Sequence, residues 1–178
     1  MKTLICKVNA EKPEQDIISQ AGKILREGGL VAFPTETVYG LGGNALDAAA
    51  SEKNLCCERA AVRQSADCTY CSDGGFGKNC DGSPEEKQRY WLRHVGRDRS
   101  TMILPKSEEV PYETTGGLDS VAVRYPSHPV AQALILAAGG FVAAPSANTS
   151  GKAESNHGSS CTGRFDRGGG YDFGRRPM

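Results

Sequence analysis

Residues 29–47 read GLVAFPTETVYGLGGNALD, and this stretch decides the fold. Its first part, residues 30–33, is a short apolar run ended by Pro34, which predicts a buried strand. Residues 35–42 are then rich in hydroxyls and glycine, so their backbone N–H groups and side chains could approach an anionic ligand closely. A tight connection with threonines on the surface explains the same residues equally well. The residues alone leave both interpretations open.

The segment before this strand has the pattern of an amphipathic helix. Between Pro13 and Arg26 the apolar residues recur at the spacing of one helix face, which predicts a helix there. They are Ile17, Ile18, Ala21, Ile24 and Leu25. Gly28 and Gly29 supply the stop signal at its end.

Further along the chain, strand and helix patterns alternate. Residues 101–104 and 121–123 have the character of strands, and Pro129, after Ser127, opens a predicted helix that ends at Gly139 and Gly140. Residues 141–144 then predict another strand, which Pro145 terminates. Alternating helices and strands indicate an α/β sheet.

Length and charge limit the function classes. The 178 residues fit a single domain, and 21 basic against 21 acidic residues give no overall field to attract nucleic acid or an anionic membrane. No run approaches the ~18 apolar residues of a membrane span, and the first residues lack the apolar stretch of a secretion signal. We therefore expect a soluble cytoplasmic protein with no membrane partner.

Two blocks, residues 52–100 and 152–178, depart from this order. Their apolar residues show neither helical nor alternating period, while Gly, Arg, Ser and Cys accumulate. Six of the seven cysteines fall in these blocks: Cys56, Cys57, Cys68, Cys71, Cys80 and Cys161.

The blocks offer one alternative function. Cys68, Cys71 and Cys80 have part of the spacing of a zinc site, although the second pair of ligands is missing. Residues 164–176 combine arginine, glycine and aromatic residues like an RNA-binding tail, but without its repeats. Together these features describe a non-enzymatic nucleic-acid-binding module.

Polar residues also follow two of the predicted strands. Residues 144–151 read APSANTSG and place Ser146 and Asn148 in a turn, where they either bind a ligand or cap backbone groups. Arg124 ends a strand, and its planar guanidinium suits a phosphate or a carboxylate.

Four stretches together resemble the YrdC-like family, the threonylcarbamoyl-adenylate synthases. They are GLVAFPTETVYGLGGNALD at 29–47, TMILPK at 101–106, TGGLDSVAVRYPSHP at 115–129 and AAPSANTSG at 143–151. The resemblance implies a single domain over residues 1–178, with a twisted mixed sheet and flanking helices around a concave nucleotide cleft.

The same resemblance implies a nucleotidyltransferase. It would join L-threonine, bicarbonate and ATP into threonylcarbamoyl-adenylate with release of pyrophosphate, for modification of tRNA, and Mg²⁺ would assist. Thr35 and Ala144 would bind L-threonine, Thr101 and Ser146 would bind the nucleotide, and no protein group would act as nucleophile. Arg124 and Asn148 would line the cleft. Expected partners are tRNA or double-stranded RNA and proteins of tRNA modification, and a member that binds RNA or nucleotide without catalysis is a further alternative.

The family pattern breaks after residue 47. The family there has a helix ending in Lys-Gly-Arg-Pro, then an Asn-Pro-Leu strand and a Val-His pair, and residues 54–71 contain none of these. When the codons of 54–71 are read one base later, synonymous choices give Ile-Tyr-Ala-Ala-Lys-Gly-Arg-Pro-Ser-Asp-Asn-Pro-Leu-Ile-Val-His-Ile-Ala without a gap. The same offset applied to 153–177 also gives family-like sequence. We therefore interpret both blocks as frameshifted.

This interpretation predicts a weakened enzyme. Hydrogen bonds to charged groups contribute about 1.5–3 kcal/mol each, so losing both the lysine and the arginine would cost roughly 3–6 kcal/mol of ligand stabilisation, or about 10²- to 10⁴-fold. On this interpretation, Cys68, Cys71 and Cys80 and the arginine- and glycine-rich residues 164–176 result from translation in the altered frame. We therefore expect the chain as written to have impaired enzymatic activity.

Overall fold

A computed structural model of the chain describes residues 4–58, 69–71, 101–145 and 170–174, and confirms an α/β fold. In chain order its elements are β1 (Leu4–Lys7), α1 (Gln15–Arg26), β2 (Leu30–Pro34), β3 (Tyr39–Asn44), α2 (Ala48–Glu58), β4 (Thr69–Cys71), β5 (Thr101–Pro105), α3 (Tyr112–Thr115), β6 (Ser120–Arg124), α4 (Pro129–Ala138), β7 (Phe141–Ala143) and β8 (Gly170–Gly174).

The described strands form one mixed sheet in the order β1-β8-β2-β3-β7-β4-β6-β5. The strand β8 pairs in parallel with both β1 and β2, and β4 pairs in parallel with β6. The other four pairings are antiparallel. This combination confirms the mixed sheet that the family resemblance implies.

The two predicted amphipathic segments form α1 and α4, and both end as their glycine pairs indicate. After α1, Gly29 N donates to Ile24 O at 2.8 Å and Gly28 N donates to Leu25 O at 3.1 Å. Gly28 has φ of 76°, so the turn satisfies the last carbonyls of the helix with a glycine in the left-handed region. Gly140 and Gly139 close α4 in the same way.

The main core lies between the two helices and the centre of the sheet. Its buried residues come from α1, α4, β2 and the end of β7, with Phe33 and Leu134 among the largest fully buried side chains. Gly22 of α1 lies so close to α4 that a Cβ added there would be 2.6 Å from Ala137 Cβ. The helices therefore approach closely at a residue without a side chain.

Three elements fall in the blocks for which the sequence predicts no period. Most of α2, all of β4 and all of β8 lie there, so the expectation of irregular structure is wrong for these residues. The buried face of α2 explains why its sequence shows only a weak helical period of apolar residues. Ser51 and Asn54 are buried on this face, where a helix normally buries apolar side chains. Ser51 Oγ is 2.7 Å from Thr114 Oγ1, and Thr114 Oγ1 donates to Ala45 O.

Asn54 is held by hydrogen bonds but is not fully satisfied. Its Nδ2 donates to Leu41 O at 2.8 Å and to Ala143 O at 3.2 Å, so it joins α2 to β3 and β7. Its buried Oδ1 has no partner among the described residues. Within the described part of the chain, no helix combines the length and apolar character needed to cross a membrane.

Candidate active site

The loop between β2 and β3 forms one side of the candidate site and is built around the Thr35 hydroxyl. Thr35 is buried, and its Oγ1 donates to Val38 O at 2.6 Å. The same oxygen accepts from Thr37 N at 3.2 Å and lies 3.2 Å from Thr37 Oγ1. The interpretation of this loop as a connection with threonines on the surface is therefore wrong for Thr35 and correct for the exposed Thr37.

This bonding limits how Thr35 can meet a ligand. A hydroxyl has one donor and two acceptor positions, and the Thr35 donor is used by Val38 O. A ligand can therefore bind this oxygen only by donating a hydrogen bond to it. In doing so it would take the position of the exposed Thr37 hydroxyl. An ammonium or amide N–H satisfies that condition, whereas a carboxylate does not.

The glycines of this stretch do not form an anion-binding loop. Residues 40–43 belong to β3, whose backbone pairs with β2 and β7. A Cβ added at Gly42 would lie 2.7 Å from Val142 Cγ1 and 2.8 Å from Phe33 Cε1. Glycine is therefore required at position 42 for packing against Phe33 and Val142, and the approach of this stretch to a ligand stays a prediction.

A second side of the site is formed by β5 and β6. Thr101 opens β5, and Arg124 ends β6 directly opposite it in the antiparallel register. Cross-strand partners project to the same face of a sheet, so the two side chains share one face. Val121 and Val123 face the other way, into a small apolar cluster with Tyr125.

Glu36 connects the two sides, and the sequence analysis did not identify it. Its Oε1 accepts a hydrogen bond from Arg124 Nη2 within an ion pair, and its Oε2 accepts from Ser127 N at 3.3 Å. Two strands, β7 and β4, lie between β3 and β6 in the sheet, so the contact crosses from one part of the sheet to another. The only signal in the sequence was an acidic residue between two threonines after a buried strand.

Ala144 lies close to the β2–β3 loop, next to the end of β7. It is buried, and its Cβ is 3.4 Å from where a Cβ on Gly40 would stand. The following carbonyl, Pro145 O, accepts from Leu41 N at 3.1 Å. The start of the predicted 144–151 turn is therefore anchored to β3.

Several of the remaining predicted residues lie outside the described residues. They are Ser146 and Asn148 of the predicted turn, and Cys68 and Cys80 of the zinc alternative. Cys71 is described only as backbone in β4, and Cys56 is an exposed free thiol on α2. Of the predicted site residues, the structure thus brings Thr101 and Arg124 together, and Glu36 attaches them to the Thr35 loop.

The described side chains do not form a magnesium cage. Among them, no group of three or more His, Cys, Asp or Glu is arranged to hold a metal. The carboxylate of Glu36 already accepts from Arg124 and Ser127. Mg²⁺ usually keeps several waters and binds through one or two carboxylates plus substrate phosphates.

Comparisons with known proteins agree with this architecture. The model of the family described as "Telomere recombination", which comprises Sua5, YciO and YrdC, matches residues 23–167. The chain is 42% identical over 154 residues to the threonylcarbamoyl-AMP synthase of Pyrococcus abyssi, covering 84% of this chain and 44% of that protein. It is 41% identical over 138 residues to the enzyme of that name from Bacillus subtilis, covering 76% and 39%.

A solved structure of a family member has a similar fold. The crystal structure of P. abyssi Sua5 complexed with L-threonine superposes with a TM-score of 0.83 at 36% identity, covering 98% of this chain and 51% of that one. The chain belongs to the Sua5–YciO–YrdC family. It spans less than half the length of the two curated relatives above.

Proposed function

We propose that this chain derives from a threonylcarbamoyl-AMP synthase, and that its residues 1–178 form one domain of that enzyme. The observation that carries the proposal is the junction of the Thr35 loop with Arg124 and Thr101 on a Sua5-like sheet. The similar P. abyssi protein has been crystallised with L-threonine. The nucleic-acid-binding alternative gains no support from any described residue.

In this proposal, L-threonine, bicarbonate and ATP react in one cleft. Thr35 and Ala144 bind L-threonine, and Thr101 and Ser146 bind the nucleotide, with Arg124 and Asn148 lining the space between them. The acceptor position of the Thr35 hydroxyl suits the nitrogen of the amino acid rather than its carboxylate.

The chemistry needs positioning and charge neutralisation rather than a protein nucleophile. The threonine nitrogen and bicarbonate form a carbamate with loss of one water, and an oxygen of this carbamate attacks the α-phosphorus of ATP. One P–O bond forms, the bond to the β-phosphate breaks, and pyrophosphate leaves. Holding the two reactants in line and compensating the charge on the phosphates supply the rate enhancement. The enzyme is thus a nucleotidyltransferase that acts in the cytoplasm, and its product modifies tRNA together with partner proteins.

The literal chain lacks the cationic Lys-Gly-Arg-Pro segment that would compensate this charge. In the reading offset by one base, a lysine falls at position 58 and an arginine at position 60, where the chain has Glu58 and Ala60. Replacing a positive charge with a negative one beside a triphosphate opposes nucleotide binding. The proposal therefore assigns full activity to the offset reading and impaired activity to the chain as written.

A comparison of two chains tests the proposal. One is the chain as written, and the other carries the offset reading at 54–71 and 153–177. We expect the second to release pyrophosphate in a reaction that requires both L-threonine and bicarbonate, and the first to release it at least about 100-fold more slowly. Omission of L-threonine is the control in each case. Pyrophosphate release independent of threonine, or none from either folded chain, would refute the proposal.

A further inference from the structure

Both oxygens of the Glu36 carboxylate accept hydrogen bonds inside the protein. Its side chain is 13% exposed and that of Arg124 is 14% exposed, so most of this ion pair is removed from water. One oxygen accepts from Arg124 Nη2, and the other accepts from Ser127 N, just before the first turn of α4. Glu36 therefore fixes three parts of the chain relative to one another: the β2–β3 loop, the end of β6 and the start of α4.

Arg124 retains an unused donor inside the protein. Its buried Nε has no hydrogen-bond partner among the described residues. A buried N–H without a partner is uncommon, because desolvation of the group is not compensated. The guanidinium is planar, so a contact that fixes Nη2 also fixes the direction in which Nε–H points.

We infer that Glu36 is a positioning residue, which acts through Arg124 and aims its Nε–H at an anionic oxygen of a bound substrate. The inference rests on the proposed function for the identity of that substrate. Two sources supply an anionic oxygen, the carboxylate of L-threonine and a phosphate of ATP. Thr101 stands opposite Arg124 on the same face of the sheet, so a ligand at this donor also meets β5.

A purely structural role makes a different prediction. If Glu36 only attached the loop to α4, its loss would lower the stability of the fold but leave ligand affinity per folded molecule unchanged. If it positions Arg124, its loss frees the guanidinium to rotate and weakens the binding of one substrate. The effect then depends on Arg124 being present.

The ligand-free test follows the arginine side chains by ¹⁵N NMR in the full chain. A guanidinium held by an ion pair rotates slowly, so we expect separate Nη signals for Arg124, assigned by their disappearance in Arg124→Lys. Glu36→Gln keeps the shape of the side chain but removes its charge, and we expect these signals to merge. The matched control is Glu27→Gln, which breaks an exposed pair with Lys23 and should leave them separate.

The second test titrates L-threonine alone and ATP alone against the same proteins. We expect Glu36→Gln to weaken one of the two by about 10-fold, the factor that corresponds to about 1.4 kcal/mol. In an Arg124→Lys background the same substitution should have no further effect. Weakened threonine binding would assign the Nε–H to the carboxylate, and weakened ATP binding would assign it to a phosphate.

The outcomes separate this inference from the proposed function. Merged Nη signals in the unmodified chain would overturn the positioning role even if Glu36→Gln does not fold. Equal losses of affinity with and without Arg124 would also overturn it. Slow rotation that depends on Glu36, together with no pyrophosphate release from the folded chain that carries the offset reading, would support the positioning role and count against the proposed function.

Discussion

Two regions of this molecule are held together by different forces. The first, called here the apolar layer, consists of α1, α4 and the buried residues of β2 and β7, and its contacts are almost entirely between hydrocarbon groups. The second, called here the polar bridge, consists of Thr35, Glu36, Arg124 and Ser127 and contains two side-chain hydroxyls and one ion pair. We expect stability to depend mainly on the first region and, under the proposed function, ligand chemistry on the second.

This difference explains why we expect the polar bridge to shape the candidate site more than it stabilises the fold. Burial of apolar surface is non-directional and contributes to the free energy of unfolding in proportion to area. A loss of side-chain volume in the apolar layer therefore lowers this free energy. Hydrogen bonds and ion pairs contribute less net free energy but impose direction. Directional contacts are what a site for a charged substrate requires.

The largest expected effect is in the apolar layer. Leu134→Ala removes a fully buried side chain from α4, and we expect the free energy of unfolding to fall by about 2–5 kcal/mol because a cavity remains. Leu136→Ala is the matched control on the same helix, since Leu136 is 70% exposed, and it should change stability by less than about 0.5 kcal/mol. Denaturant unfolding measures both. Equal losses would show that the layer does not carry the stability.

An intermediate effect is expected where the polar bridge begins. Thr35→Val removes the hydroxyl that donates to Val38 O and accepts from Thr37 N, and we expect a loss of about 1–3 kcal/mol because two hydrogen bonds of about 0.5–1.5 kcal/mol each are lost, although Val38 O keeps the bond from Thr35 N. Thr35→Ser keeps the hydroxyl and should retain most of this stability. The comparison is made by denaturant unfolding. If valine and serine behaved alike, the hydroxyl would not hold the loop.

The smallest effect is expected outside both regions. The carboxylate of Asp119 accepts from Tyr112 Oη at 2.8 Å, and this hydrogen bond raises the pKa of Tyr112 above its ordinary value of 10.0. The folded protein therefore holds the phenol proton more tightly than the unfolded chain, and the associated stability is present below pH 10 and is lost as pH rises through the folded pKa.

The measurement is the free energy of unfolding as a function of pH. Tyr112→Phe should lower the value at pH 7 by the small contribution of this hydrogen bond, and it should remove the part of the decline above about pH 10 that belongs to this residue. The same decline in both proteins would mean that the hydrogen bond does not form in solution.

The sequence predicted the apolar layer better than the polar bridge for a physical reason. Apolar period and glycine pairs are local signals, and they placed both ends of α4 and the end of α1. The ion pair of Glu36 with Arg124 joins residues 88 positions apart, and no local pattern records such a contact. The strand β3 was missed because its glycines serve packing around Phe33, which removes the alternating side chains that mark a strand.

The end of α2 was missed for another reason, which bears on the frameshift interpretation. Its buried face passes from Ala50 to Ser51 and Asn54, and Asn54 Oδ1 has no partner among the described residues. In the reading offset by one base, position 54 is isoleucine. An isoleucine there would remove this unsatisfied oxygen, but it would also remove the Nδ2 donor that serves Leu41 O and Ala143 O, so the environment of Asn54 does not distinguish the two frames.

The most direct test of the frameshift interpretation is the nucleotide sequence that encodes residues 54–71, determined on both strands of the DNA. We expect codons that yield an unbroken Lys-Gly-Arg-Pro segment when they are read one base later. Codons that cannot give this segment in any frame would contradict it.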